Sequence, residues 1–234
     1  MELDIEELVR ADAESAGAPT TSVAVELELP GLPALTGAVQ GVRGDVIHLV
    51  TYRRMQPALR LAAWVQLLAA TAARPTRPFS AVTIGRTEKR SNRIVSIAAI
   101  APLGTDTSTR KRNAEAHLRS ILGLFESGMA QPLPLYCKTS AAYAMARVAG
   151  ADDPEVAARQ KWESNFDFDQ EDKDRNHMYV LGGPISYNEL VARSGEIGDA
   201  ERSPSFDPPE RTRFGFYARY LWDALLDHEE VVNR

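Results

Sequence analysis

The run LTGAVQGVRGDVIHLVTYRRMQPALRLAAWVQLLAATAA, residues 35–73, changes its apolar periodicity midway, and that change sets the class of the fold. Its first half holds two β-rich segments, 35–42 and 46–52, separated by Arg43-Gly44-Asp45. Glycine reaches positive φ at no steric cost, so this triplet predicts a tight turn between two antiparallel strands. Pro57 then opens a helix, because its fixed φ suits a first helical turn. Leu61, Trp64, Val65 and Leu68 recur at helical spacing up to Ala73, and Arg74-Pro75 ends the segment.

Outward from this run the same two periods continue. Residues 4–15 read as a short amphipathic helix with Ile5, Leu8 and Val9 on one face. Residues 21–29 alternate Val23, Val25, Leu27 and Leu29 against polar neighbours, which predicts a half-buried strand. Strands are also expected at 81–85 and 94–100, joined by a charged connection over 86–93. Beyond residue 105 the pattern is helical. Helices are expected at 111–125 with Gly128 past the end, from a Thr139 or Ser140 cap to Val148, over 154–162, and from about Phe214 to Leu226. The expected organisation is an α/β core over 1–105 and a mainly helical extension over 106–234 packed on it.

The single cysteine, Cys137, excludes an internal disulfide and suits a reducing cytosol. MELDIEELVR has no basic segment followed by an apolar one, and the apolar run 61–73 is too short to cross a bilayer. A soluble cytoplasmic protein without membrane contact is expected. The net charge of -5 averages two unlike regions. Residues 43–119 hold 14 Lys/Arg against 4 Asp/Glu, so they are strongly basic, whereas the remainder is acidic. That asymmetry fits a basic face for phosphates and an acidic face for something else; the plainer reading is solvated surface throughout.

Local motifs exclude most chemistries. Cys137-Lys138-Thr139 imitates the end of a phosphate-binding loop, but Pro132 and Cys137 stand where that loop needs glycines, so a helix cap is the better reading. Asp167, Asp169 and Glu171 imitate a calcium loop, yet its glycine and its bidentate glutamate are replaced by Asp172 and Met178; an exposed acidic loop is expected. His48, His117, His177 and His228 lack zinc spacing, and neither GxSxG nor GxGxxG occurs. No cofactor or metal is expected.

Helix, three-stranded meander, helix, strand is the core order of restriction-endonuclease-like, PD-(D/E)xK-type nucleases. The segments LTGAVQ (35–40) and LVTYR (49–53) resemble the RecB-type nuclease strands that carry an Asp and an Asp-x-Lys. On that pattern Gln40 and Thr51 replace the two carboxylates and Arg53 replaces the lysine; Arg60 and Trp64 match a following Gln-x-x-x-Tyr more loosely. Magnesium wants hard anionic oxygens, so the resemblance implies a degenerate nuclease-like core without catalytic residues.

Several blocks are similar, in order, to the RecC family. They are LTGAVQGVRGD (35–45), RLAAWVQLLAATAA (60–73), AVTIGR (81–86), QPLPLYCKTSAAY (131–143), VLGG (180–183) and RFG…LW (213–222). The resemblance implies the C-terminal domain of a non-catalytic, DNA-handling subunit that joins RecB and RecD in a helicase–nuclease, exodeoxyribonuclease V, acting on duplex ends and emerging single strands. It also implies that Met1 begins an excised piece of a longer subunit. Candidate DNA contacts are Arg86, Lys89, Arg90 and Arg93, in one connection between two strands, and Lys111, which with Arg110 and Arg112 opens the next helix, where local helix stability gives no reason for cations. The rival expectations are a pure protein-interaction module and an active magnesium nuclease.

Overall fold

The computed structural model describes residues 6–8, 10–12, 19–87, 93–198, 206, 207 and 209–234. Among them it divides into two compact units, Met1–Leu122 with Asp227–Arg234, and Gly123–Leu226.

The first unit is built on a mixed six-stranded sheet. Its strands are β1 (Thr20–Leu27), β2 (Leu35–Arg43), β3 (Val46–Arg54), β4 (Ser80–Arg86), β5 (Val95–Ile100) and β6 (Glu229–Asn233), side by side in that order. All neighbours are antiparallel except β3 and β4, which are parallel. Parallel neighbours need a crossover, and helix α1 (Pro57–Ala73) supplies it. The sequence bounds for α1 hold to the residue. It buries Ala63, Trp64, Leu67 and Leu68 on one stripe at helical spacing, widening to every residue from Ala69 to Ala72, and packs on β1 to β4. Residues 6–8 and 10–12 are helical, and Leu8 and Ala11 pack against Ile84 and Val95. Gly44 turns β2 into β3 with φ 57°. Helix α2 (Thr107–Ala130) follows β5, with Ala114 and Leu118 buried.

The α1 stripe also contains a cation. Arg60 is buried and forms a two-pronged ion pair with Glu229 of β6; their side chains are 8% and 1% exposed. One turn on, the Trp64 ring lies 5.4 Å from His117 and 5.6 Å from His228. These contacts bring the C-terminal strand to the sheet. The sequence reading assigned no strand beyond residue 105, but EEVVN (229–233) is one: it pairs with β5 through Ile97–Val232 and Ala99–Glu230.

The second unit is helical: α3 (Cys137–Val148), α4 (Pro154–Trp162), α5 (Arg175–Leu181), α6 (Tyr187–Arg193) and α7 (Arg213–Leu226). Tyr143, Trp162, Tyr187, Leu190 and Phe214 form its core. Between α3 and α7 the Glu210 carboxylate accepts from the Tyr143 hydroxyl at 2.6 Å and pairs with Arg147 and Arg219, each at 3.2 Å. Gly215 leaves room for this cluster, since a Cβ there would lie 2.6 Å from Glu210 and 2.8 Å from Tyr143. Among the described residues no helix is long and apolar enough to cross a membrane.

Three local expectations change. Helix α2 starts at Thr107, because Asp106 accepts from the Thr109 amide at 2.9 Å and hydroxyl at 2.7 Å, and it runs through Gly128 to Ala130. Helix α3 starts at Cys137 without a local side-chain cap. Its cap is remote: Glu171 accepts from the amides of Lys138 at 3.0 Å and Thr139 at 2.8 Å. Glu171 is consequently buried rather than part of an exposed loop.

Two outcomes follow for the first unit. Truncating either partner of a buried ion pair strands the other, so Arg60→Ala or Glu229→Ala should cost about 3–5 kcal/mol in urea unfolding. Arg60→Met with Glu229→Leu together should cost much less. Equal losses in the single and double variants would show that packing, not charge, sets the cost. Separately, burial and the neighbouring Arg43 hold the His48 imidazole below its usual value of 6.5, outweighing Asp12. Burial and His228 do the same for His117, outweighing Asp227. The unfolded chain takes up these protons first, so stability is full above 6.5 and declines as pH falls below it. The unfolding midpoint should drop between pH 7.5 and 5.5, and less so after His48→Gln with His117→Gln.

Candidate nucleic-acid interface

Gln40 is exposed in an irregular part of β2. The β1 register moves from Thr21–Val42 to Val23–Val39, so Gln40 and Gly41 together oppose one residue. Gly41 sits at φ 72°, and a Cβ on it would lie 2.6 Å from the His48 carbonyl. The hairpin ladder to β3 consists of Val42–Ile47 and Arg43–Val46. Gln40 lies beyond it.

Thr51 and Arg53 occupy a second irregularity. β3 pairs with β4 at Val50–Ile84 and again at Arg54–Arg86, so four steps on β3 match two on β4. The Thr51 hydroxyl accepts from the Arg53 amide at 3.1 Å, and the Met55 amide donates to the Arg86 carbonyl at 2.7 Å. Arg53 is exposed. Thr51 and Arg53 thus share one bulge, while Gln40 belongs to another on the neighbouring strand. Arg60 and Trp64, the looser matches, are both buried in the contacts to β6 described above.

The basic candidates divide. Arg86 lies over the Tyr52 ring, 4.3 Å from its centroid, and donates to the Tyr52 carbonyl at 2.8 Å. Arg93 is exposed, and its carbonyl accepts from the Thr87 hydroxyl. Lys89 and Arg90 lie outside the described residues. Lys111 keeps 57% of its side chain exposed, with Glu115 at 3.8 Å. It shares a shallow surface groove with Ser108, Arg112, Glu115 and Arg119.

The helix-start argument fails for Arg110. Its guanidinium is buried and donates to the carbonyls of Pro75 at 2.9 Å, Thr105 at 3.1 Å and Gly104 at 3.3 Å. Its reason is local after all: it satisfies loop carbonyls that would otherwise lack a donor.

Burial and then Glu171 push the Cys137 thiol up to about 11, so it is no nucleophile at neutral pH. Among the described residues no three His, Cys, Asp or Glu side chains gather as a metal site. Sequence reasoning overlooked Tyr52 and Arg54. The available signal was Gly85, a glycine inside an apolar strand, which marks a close backbone approach.

Residues 4–148 match the RecC C-terminal domain family. Curated relatives include the RecBCD enzyme subunit RecC of Mycobacterium tuberculosis, strain H37Rv, 33% identical over 208 residues, covering 89% of this chain and 17% of the relative. Another is the RecBCD enzyme subunit RecC of Mycolicibacterium smegmatis, 33% identical over 212 residues, covering 89% of this chain and 18% of the relative. The chain therefore spans less than a fifth of the length of these relatives. With well over half of its residues matched by the family, the chain belongs to the RecC C-terminal domain family.

Proposed function

We propose that this chain is a DNA-handling and subunit-scaffolding domain of a RecC subunit, without cleavage chemistry of its own. In this reading its partners are RecB, RecD and DNA, within the cytoplasmic exodeoxyribonuclease V that processes double-strand breaks for recombinational repair. The observation that carries it is chemical. A meander, a crossover helix and a parallel strand follow the order of a restriction-endonuclease-like core, yet Gln40, Thr51 and Arg53 supply an amide, a hydroxyl and a guanidinium. Such groups hydrogen-bond a phosphate but offer magnesium no anionic oxygen. The exposed arginine at 53, with Arg86, Arg93 and Lys111 on the same unit, supports phosphate contact. One observation favours the rival reading of a pure protein-interaction module. Arg60 and Arg110 are consumed by internal partners, so the basic surface is smaller than the residue count suggests.

The purified chain with Mg²⁺ or Mn²⁺ should leave linear duplex and single-stranded DNA intact on a gel. Cleavage that disappears on changing an acidic residue elsewhere would show that the catalytic centre lies at another place. In the assembled complex, charge-neutral changes at Arg86, Lys89, Arg90, Arg93 and Lys111 should lower DNA affinity. They should also flatten its salt dependence by up to about one unit of slope per lost contact. Unchanged affinity and slope with weakened subunit assembly would favour the protein-interaction reading instead.

A further inference from the structure

The bulge of β3 has features that phosphate contact alone does not require. Two extra residues leave the ladder between Val50 and Arg54, and the strand still closes on β4 because residue 85 has no side chain. A Cβ on Gly85 would lie 3.0 Å from the Arg53 carbonyl and 3.4 Å from the Met55 amide. The irregularity is therefore written into two strands at once. Bulges of this kind re-aim side chains that a regular strand would point elsewhere.

What this one presents is a partly exposed aromatic ring with a cation over it. Tyr52 is 40% exposed, and Arg86 lies over its ring, held there by the hydrogen bond to the Tyr52 carbonyl. Arg53, exposed, and Arg54, half-buried, are the next two residues of the strand, and neither side chain forms an ion pair or hydrogen bond among the described residues. Arg54 is also the register partner of Arg86, so two cations neighbour each other across the ladder.

We infer that this bulge is a binding platform for single-stranded nucleic acid, with Tyr52 stacking an unpaired base and Arg53 and Arg54 holding adjacent phosphates. The inference rests on the DNA-handling reading above and narrows it. Every base offers a π-face, so a ring with cations beside it binds a strand without reading its sequence. A duplex keeps its bases stacked on one another and leaves Tyr52 unused. An acidic peptide would answer the two arginines but has no repeating planar group for the ring.

The test uses the full subunit assembled with its partners and an oligothymidylate carrying 5-iodouracil. Irradiation should cross-link the strand to the peptide containing Tyr52, identified by mass spectrometry, and the matched duplex should not cross-link there. Tyr52→Thr, a strand-compatible change at an exposed position, should weaken oligothymidylate binding roughly five- to a hundredfold. Tyr52→Phe should restore it. Arg53→Gln with Arg54→Gln should flatten the salt slope by about 1.4 units, about 0.7 for each phosphate contact on a single strand. Cross-links confined to peptides containing Arg93 or Lys111, with Tyr52→Thr binding normally, overturn the platform and leave the DNA reading intact. Loss of subunit assembly in Tyr52→Thr with unchanged affinity for the strand makes the ring a protein contact, and also overturns it. Affinity and slope indifferent to Tyr52→Thr and to the double arginine change sink the platform, whereas the DNA reading falls only if the five-position change at Arg86, Lys89, Arg90, Arg93 and Lys111 is also without effect.

Discussion

The ion pair between Arg60 and Glu229 fixes the architecture of the sheet-bearing unit. Parallel pairing of β3 and β4 demands a crossover, and α1 provides it by burying one face against the sheet. Placing a guanidinium on that face obliges the chain to return a carboxylate to it, since an unpaired buried charge is too costly to leave. Glu229 comes from 169 residues further along and brings β6 with it. Trp64, packed between His117 and His228, adds an apolar contact at the same junction. A buried pair of this sort contributes little net stability compared with an apolar substitute. Its effect is on register: Glu229 opposes Ile100, and the remaining rungs of β6 follow.

Two interruptions then divide the sheet into a regular body and an irregular region. At Gly41 the glycine lets β2 pass the His48 carbonyl; at Gly85 it lets β3 bulge past β4. Both candidate positions of the nuclease-like pattern lie at these interruptions, Gln40 at the first and Thr51 with Arg53 at the second. A ladder through both strands would have set them in fixed register. Because the β2–β3 pairing covers only the turn end, the two groups are positioned by separate bulges. The second bulge is where Tyr52 and Arg53 are exposed.

The charge asymmetry of the sequence has interior members on both sides. Glu171 caps helix α3 from more than thirty residues away, and Glu210 joins Tyr143, Arg147 and Arg219. Arg60 and Arg110 are likewise internal. Each has the hydrogen-bond partners that a buried charge needs. Formal counts therefore overstate both the acidic and the basic surface.

The first five strands and α1 were legible from the sequence, because alternation, the Gly44 turn and the Pro57 start are local signals that packing reinforces. That Gln40 and Thr51 carry no anionic oxygen was equally legible, since side-chain identity alone decides what ligands a position can offer. Three features had no local signature. β6 is Glu-Glu-Val-Val-Asn, and pairing with distant β5 makes it a strand. Helix α3 takes its cap from Glu171, a residue remote in sequence, so a search for a nearby Ser or Thr found the wrong group. The platform at Tyr52 exists because β3 and β4 disagree in length, which is a property of two strands and of neither alone. Identity and periodicity are written along the chain; register, remote capping and the fate of a buried charge arise only when distant segments meet.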